Sequence, residues 1–135
     1  MTFKQDENLY DFIYKRNQFK PKSVVIVDEC QFLTRTQVDE LKEVSKNIPV
    51  LCYGLLTNFK TELFEGSKRL VEIAESLMEI KSVCHCGKKA TVNARFVDDK
   101  LVTDGEEILL GKEEHYKALC YNCYSNLKNQ TKEEK

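Results

Sequence analysis

Apolar residues along this chain recur with a helical period, then with none, and the change falls near residue 80. Between residues 6 and 19, Leu9, Phe12, Ile13 and Phe19 lie at roughly helical spacing, with acids early and Lys15 and Arg16 late, as the helix dipole favours. Pro21 is expected to end that helix. Residues 23–28 then form a β-branched run that is apolar on both faces, the pattern of a buried parallel strand. Thr36 with Asp39 reads as a capping box for a second helix, whose stripe is Val38, Leu41, Val44 and Ile48 and whose stop is Pro49. Residues 50–54 repeat the buried-strand pattern. Strand, helix and strand predict a βαβ unit with parallel pairing and a right-handed crossover. A third helix is expected over residues 67–78, presenting Leu70, Ile73, Ala74 and Leu77.

After Ile80 the helical period gives way to cysteines and to alternating pieces such as residues 90–97, which read as strand. The expected organisation is an α/β core over 1–80, a second smaller unit over 81–127, and a solvating tail over 128–135. A length of 135 residues suits one compact domain with a small appendage. Acids and bases are interspersed and the net charge is −1, so no basic face for nucleic acid or anionic membrane is expected. The first residues carry no apolar signal core and no apolar run is long enough to span a bilayer, which reads as a cytoplasmic protein. Six cysteines in a reducing compartment argue against a disulfide framework and turn attention to their spacing.

Two patterns carry chemistry. Val24 to Val27 runs into Asp28 and Glu29, as in strands that hold a carboxylate rigidly at the ligand-binding edge of an open α/β sheet. One such carboxylate suits hard Mg²⁺, and its neighbour can accept a proton from a nucleophilic hydroxyl. Strand-end acids are also common as structural ion-pair partners. The second pattern is stronger: Cys84 and Cys86, then Cys120 and Cys123, form two close pairs suited to a tetrahedral zinc ribbon with a closed, structural shell. A redox pair at Cys120 and Cys123, or unrelated buried thiols, is the competing reading. Cys30 and Cys52 lie in or beside apolar strands and read as core, and neither His85 nor His115 reads as a catalytic base.

Taken in order, Asp28-Glu29-Cys30-Gln31-Phe32, Cys52-Tyr53-Gly54-Leu55, Phe59, Glu62-Leu63-Phe64, Gly66-Ser67, residues 84–90, and Gly105-Glu106 through Gly111 to Tyr116 resemble the zinc-containing thymidine kinases shared by bacteria and animal cytosol. The resemblance runs from about Pro21 to Cys123. It implies a P-loop-type α/β core and a zinc-bearing domain whose lasso loop closes over the nucleoside. It further implies Asp28 as a Mg²⁺ ligand and Glu29 as general base on the thymidine 5′-hydroxyl. Phe32, Leu55, Phe59 and Phe64 would form the apolar pocket for the thymine ring, and Gln31 would also bind substrate. Residues 104–111, with Ile108, Leu109, Leu110 and Gly111, match the lasso, and Tyr116 matches a tyrosine that contacts the nucleoside. Without the resemblance, the pocket residues read as ordinary core.

None of Gly54, Gly66, Gly87, Gly105 and Gly111 precedes the Lys-Ser or Lys-Thr of a phosphate-binding loop. Leu56, Asn58 and Lys112 also stand where relatives often carry Arg, Asp and Gly. The expected fold is therefore α/β, a partial P-loop-like parallel sheet with a zinc ribbon. The expected function is the acceptor-nucleoside and zinc half of a thymidine kinase, inactive unless complemented. Expected partners are thymidine, ATP with Mg²⁺ only when a phosphate-loop half is supplied, and copies of the chain, since the family is typically tetrameric. The alternatives are a non-enzymatic zinc-ribbon binding module and a structural partner of an intact kinase.

Overall fold

The computed structural model describes residues 1–105 and 114–133 and divides into two compact units. The first comprises residues 1–56 and 63–77; the second comprises residues 57–62 and, of the described residues, 78–105 and 114–133.

In the first unit, helix α1 spans Leu9–Asn17 and is capped by Asn8, whose side chain accepts the Asp11 N–H at 3.0 Å. It stops ahead of Pro21. Gln18 turns left-handed at φ 56° and returns its N–H to the Tyr14 carbonyl, so a C-cap rather than the proline ends the helix. Strand β1 is Val25–Val27 and β2 is Val50–Cys52, paired in parallel with Val25 opposite Val50 and Val27 opposite Cys52. Between them a 3₁₀ turn, Cys30–Phe32, leads into α2, Arg35–Val44.

The cap of α2 differs from expectation. Thr34, not Thr36, receives the Gln37 N–H at 3.1 Å, and the Gln37 side chain returns to the Thr34 N–H at 3.2 Å. Thr34 wins because Gln37, three residues on, can reciprocate and be buried while doing so. Helix α3 runs Glu65–Ile73, starting and ending earlier than the apolar spacing predicts. Lys42 of α2 caps its last carbonyl at 3.0 Å, Ala74 is extended, and Leu77 is left exposed.

Leu9, Val27, Cys30, Leu33, Val38 and Leu41 form the core of this unit, with Val25, Val50 and Cys52 packed against it. The strands are not buried on both faces. Val24, Ile26, Leu51 and Tyr53 alternate with the core residues and are 51%, 64%, 46% and 47% exposed, because α1 to α3 pack on the other side.

The second unit has a short hairpin, β3 (Ser82–Val83) with β4 (Lys89–Ala90), and an antiparallel sheet in the order β6-β5-β7. Strand β5 is Val92–Val97, β6 is Lys100–Val102 and β7 is Glu114–Leu119. Asp98 and Asp99 both take positive φ, 51° and 63°, giving the two-residue turn whose twist matches the β5–β6 hairpin. Helix α4, Tyr121–Glu133, extends into the stretch that composition reads as a solvating tail. Leu127 packs on the core and Thr131 donates to its carbonyl at 3.0 Å, so the start of that stretch is anchored. No described helix is long and apolar enough to cross a membrane.

Candidate functional site

Where β1 ends, the chain reverses sharply. Tyr53 donates its N–H to Val27 at 2.9 Å and Cys30 donates to Tyr53 at 3.0 Å, which zips the two strand ends together. Asp28 and Glu29 lie between these bonds and are exposed. Asp28 Oδ1 accepts the Glu29 N–H at 2.9 Å, and Glu29 sits at φ 54°. A left-handed conformation costs a non-glycine residue about 1–2 kcal/mol, and such strain concentrates at functional positions.

The neighbouring Gln31 is 3% exposed and faces two partners: its Nε2 donates to Glu29 Oε2, and its Oε1 accepts the Leu55 N–H at 3.1 Å. Gly54 makes room for it, since a Cβ there would lie 2.5 Å from Gln31 Oε1 and 2.7 Å from Cys30 Sγ. Ser67 Oγ in turn donates to the Leu55 carbonyl. Phe32 and Phe64 meet edge to face with ring centroids 5.7 Å apart, Phe64 buried and Phe32 39% exposed. Glu29, Gln31, Phe32, Leu55 and Phe64 thus form a connected set within the first unit. Cys30 and Cys52 share a hydrogen bond in the adjoining core that holds the Cys52 thiol above its ordinary value.

Phe59 and Tyr116 belong to the second unit. The loop carrying Phe59 is organised by Asn58, whose Oδ1 accepts the Lys60 N–H at 2.9 Å and the Glu62 N–H at 3.1 Å. An Asp in that place offers the same acceptor, so the Asn58 departure keeps the turn chemistry. Asn93 Nδ2, on β5, donates to the Thr57 carbonyl at 3.4 Å. Arg95, two residues further, is fully buried: its guanidinium lies 3.7 Å over the Phe59 ring and its Nε donates to the Tyr116 hydroxyl at 2.9 Å. Arg95 was not a sequence candidate. Its signal was a guanidinium between Ala94 and Phe96 in an otherwise uncharged strand. Ile108, Leu109, Leu110, Gly111 and Lys112 lie outside the described residues.

The four spaced cysteines converge. One sulfur from each of Cys84, Cys86, Cys120 and Cys123 lies within 4.8 Å of the other three, and Cys86 Sγ is 3.6 Å from Cys120 Sγ. Zinc–thiolate bonds of about 2.3 Å at tetrahedral angles require sulfurs about 3.8 Å apart, so the donor set fits that ion. Local backbone explains the convergence. Gly87, at φ 93°, lets its N–H return to the Cys84 carbonyl at 2.8 Å, and Cys120 precedes α4 with its sulfur 3.4 Å from the Cys123 N–H.

Backbone N–H groups of Cys86 and Cys120 pull the Cys84 thiol down to about 6. Cys123, hydrogen-bonded as a thiol to Cys120, is pushed up to about 12. A bound cation favours the thiolate form of such a group. His85 Nδ1 stands 3.7 Å from Cys84 Sγ, and His115 stacks on Phe96 with ring centroids 5.4 Å apart.

A small parallel sheet ending in two acids, joined in one chain to a four-cysteine cluster, defines a mixed α/β protein with a zinc-compatible site. Residues 1–124 match the family model described as thymidine kinase. A thymidine kinase from Vibrio vulnificus is 44% identical over 125 residues, covering 90% of this chain and 65% of the relative. One from Zymomonas mobilis is 47% identical over 123 residues, covering 89% and 64%. One from Novosphingobium aromaticivorans is 47% identical over 132 residues, covering 95% and 68%. The chain belongs to the thymidine kinase family. It spans about two-thirds of the length of these curated relatives, just under that share for the first two.

Proposed function

We propose that these residues are the acceptor side of a thymidine kinase, which transfers the γ-phosphoryl group of ATP to the 5′-hydroxyl of thymidine. The observation that carries the reading is Glu29: an acid held in a strained conformation at the end of β1, tied to Gln31, in a chain of this family. Its carboxylate takes the proton of the 5′-hydroxyl as that oxygen bonds to the γ-phosphorus, and the bond to the ADP oxygen breaks. Asp28, exposed beside it, supplies a hard oxygen ligand to Mg²⁺, whose chemistry is to neutralise charge on the phosphates. Nucleoside binding is assigned to Gln31, Phe32, Leu55 and Phe64 of the first unit and, separately, to Phe59, Tyr116 and Ile108 to Gly111 of the second, as the family resemblance implies. Flat apolar and aromatic walls suit a pyrimidine ring because stacking and water exclusion act together. Cys84, Cys86, Cys120 and Cys123 hold a structural zinc, since four thiolates leave it no open position. A protein of this kind works in the cytoplasm.

Positioning and electrostatic stabilisation supply nearly all catalysis in phosphoryl transfer, and no Gly-Lys-Ser or Gly-Lys-Thr cradle occurs in these 135 residues. The 135-residue chain is therefore expected to bind thymidine without turning it over. The test is calorimetric titration with thymidine, together with radiolabelled transfer from ATP by the chain alone and mixed with the N-terminal part of a relative. Turnover only in the mixture, lost in Glu29→Gln, is the expected result. Absence of thymidine binding, or turnover by the unmixed chain, would overturn the reading.

A further inference from the structure

A guanidinium without solvent contact is costly unless every side of it is answered. Arg95 is 0% exposed, and its partners include the Phe59 ring at 3.7 Å, the Tyr116 hydroxyl at 2.9 Å, and Glu114 Oε2 at 3.5 Å. Strand register explains two of them. Antiparallel pairing sets Arg95 directly opposite Tyr116, and Glu114 opposite Val97, so Glu114 is the diagonal neighbour on the same face. The third partner arrives because Asn93, on that same face of β5, holds the Thr57 carbonyl at 3.4 Å and Asn58 folds the following residues into a tight loop.

The consequence is asymmetric for the two rings. Phe59 is 2% exposed beneath the guanidinium, whereas Tyr116 is 48% exposed although its hydroxyl is held. A half-exposed tyrosine on a strand ordinarily samples several rotamers, and a charge-assisted bond from a buried, rigid donor removes that freedom. Arginine suits the task better than lysine, since its planar group can stack on Phe59 while Nε–H points along the plane to Tyr116.

We propose that Arg95 is a positioning residue: it fixes the Tyr116 ring and fastens the Phe59 loop to the β5–β7 pair, so that the second unit offers the half-exposed Tyr116 to a nucleoside pre-arranged. The clamp stands on geometry alone, and its effect on affinity rests on the thymidine reading above.

The experiment is fluorine NMR of the zinc-loaded 135-residue chain labelled with 3-fluorotyrosine, the Tyr116 signal assigned by its loss in Tyr116→Phe, with thymidine titrated into each protein. Arg95→Met is expected to shift the Tyr116 signal and to raise the thymidine Kd on the order of tenfold, the loss expected for one charged hydrogen bond. Arg95→Lys is expected to recover part of both. Zinc content in each variant reports whether the second unit has folded. A folded Arg95→Met with an unmoved Tyr116 signal overturns the clamp. If the signal moves while the Kd of a binding-competent chain stays the same, the positioning role is overturned.

Should Arg95→Met fail to fold, Tyr116→Phe is read instead at the Arg95 Nε–H nitrogen–proton signal. That signal is expected to move when its acceptor is removed, and an unmoved signal overturns the clamp. If the unmutated chain binds no thymidine at all while the Tyr116 signal still responds to Arg95, the clamp stands and the substrate reading falls.

Discussion

Leu55 donates its N–H to Gln31 Oε1 at 3.1 Å, and the other end of that amide reaches Glu29, so one buried side chain spans the acid after β1 and the loop after β2. Gly54 is the reason it fits. A methyl group there would press on Gln31 Oε1 and Cys30 Sγ at 2.5 and 2.7 Å and on the Cys30 backbone nitrogen at 3.0 Å. Gly54→Ala is expected to destabilise the chain by about 1–3 kcal/mol, the usual range for overpacking. Denaturant unfolding measures it, and an unchanged midpoint would show that Gln31 can move aside freely.

Glu29 permits a separation of strain from chemistry. At φ 54° glycine rests without penalty and alanine does not. Both replacements delete the carboxylate and its bond to Gln31, so their difference isolates the backbone. Glu29→Gly is expected to be about 1–2 kcal/mol more stable than Glu29→Ala, with neither supporting phosphoryl transfer in the complemented mixture. Equal unfolding midpoints would mean that the turn relaxes when the side chain is removed.

Metal removal is expected to act on the second unit. Cys84 and Cys120 belong to its apolar core, beside Val92, Ala94, Phe96 and Leu119, so separating the four sulfurs also opens that core. One zinc per chain is expected by metal analysis. A chelator, or Cys86→Ser, is expected to collapse the amide signals of β5 and β7 toward unfolded positions. Sharp, dispersed signals from these strands in metal-free protein would contradict this.

Ile26 and Leu51 face each other across β1 and β2 on the exposed side, flanked by Val24 and Tyr53. Four apolar side chains on a two-stranded sheet make a sticky surface. The 135-residue chain is expected to self-associate with rising concentration, and Ile26→Lys with Leu51→Lys to suppress this without lowering the unfolding midpoint. Light scattering decides. A monomer at all concentrations before mutation would refute it.

Local pattern alone was enough for the strands after Ser23 and after Pro49, the stripe of α2 and the four cysteines, because each is written in nearest-neighbour spacing. Val27, Val38, Leu41 and Val44 are buried as that spacing requires. The ordered motifs were also enough for the family, since their sequence and separation survive without any knowledge of contacts. Element ends were less legible. The spacing points to Thr36 with Asp39 as the cap, and the buried, reciprocating Gln37 selects Thr34 instead.

Other features exist only in three dimensions. Ile26 is as apolar as Val27, and no periodicity says that one faces solvent; that depends on which side α1 to α3 cover. Phe59 folds into the second unit and Phe64, five residues later, into the first, because Asn93 reaches the Thr57 carbonyl and Arg95 the Phe59 ring across more than thirty residues of sequence. Arg95 shows in one dimension only as the single charge of β5, and its role does not. A charged residue in a strand reads as solvent-facing, and it becomes a buried clamp only when antiparallel register sets Tyr116 opposite and Glu114 on the diagonal. Spacing specifies which residues share a face, but register and coverage specify what that face meets, and those follow from the free energy of packing the whole chain.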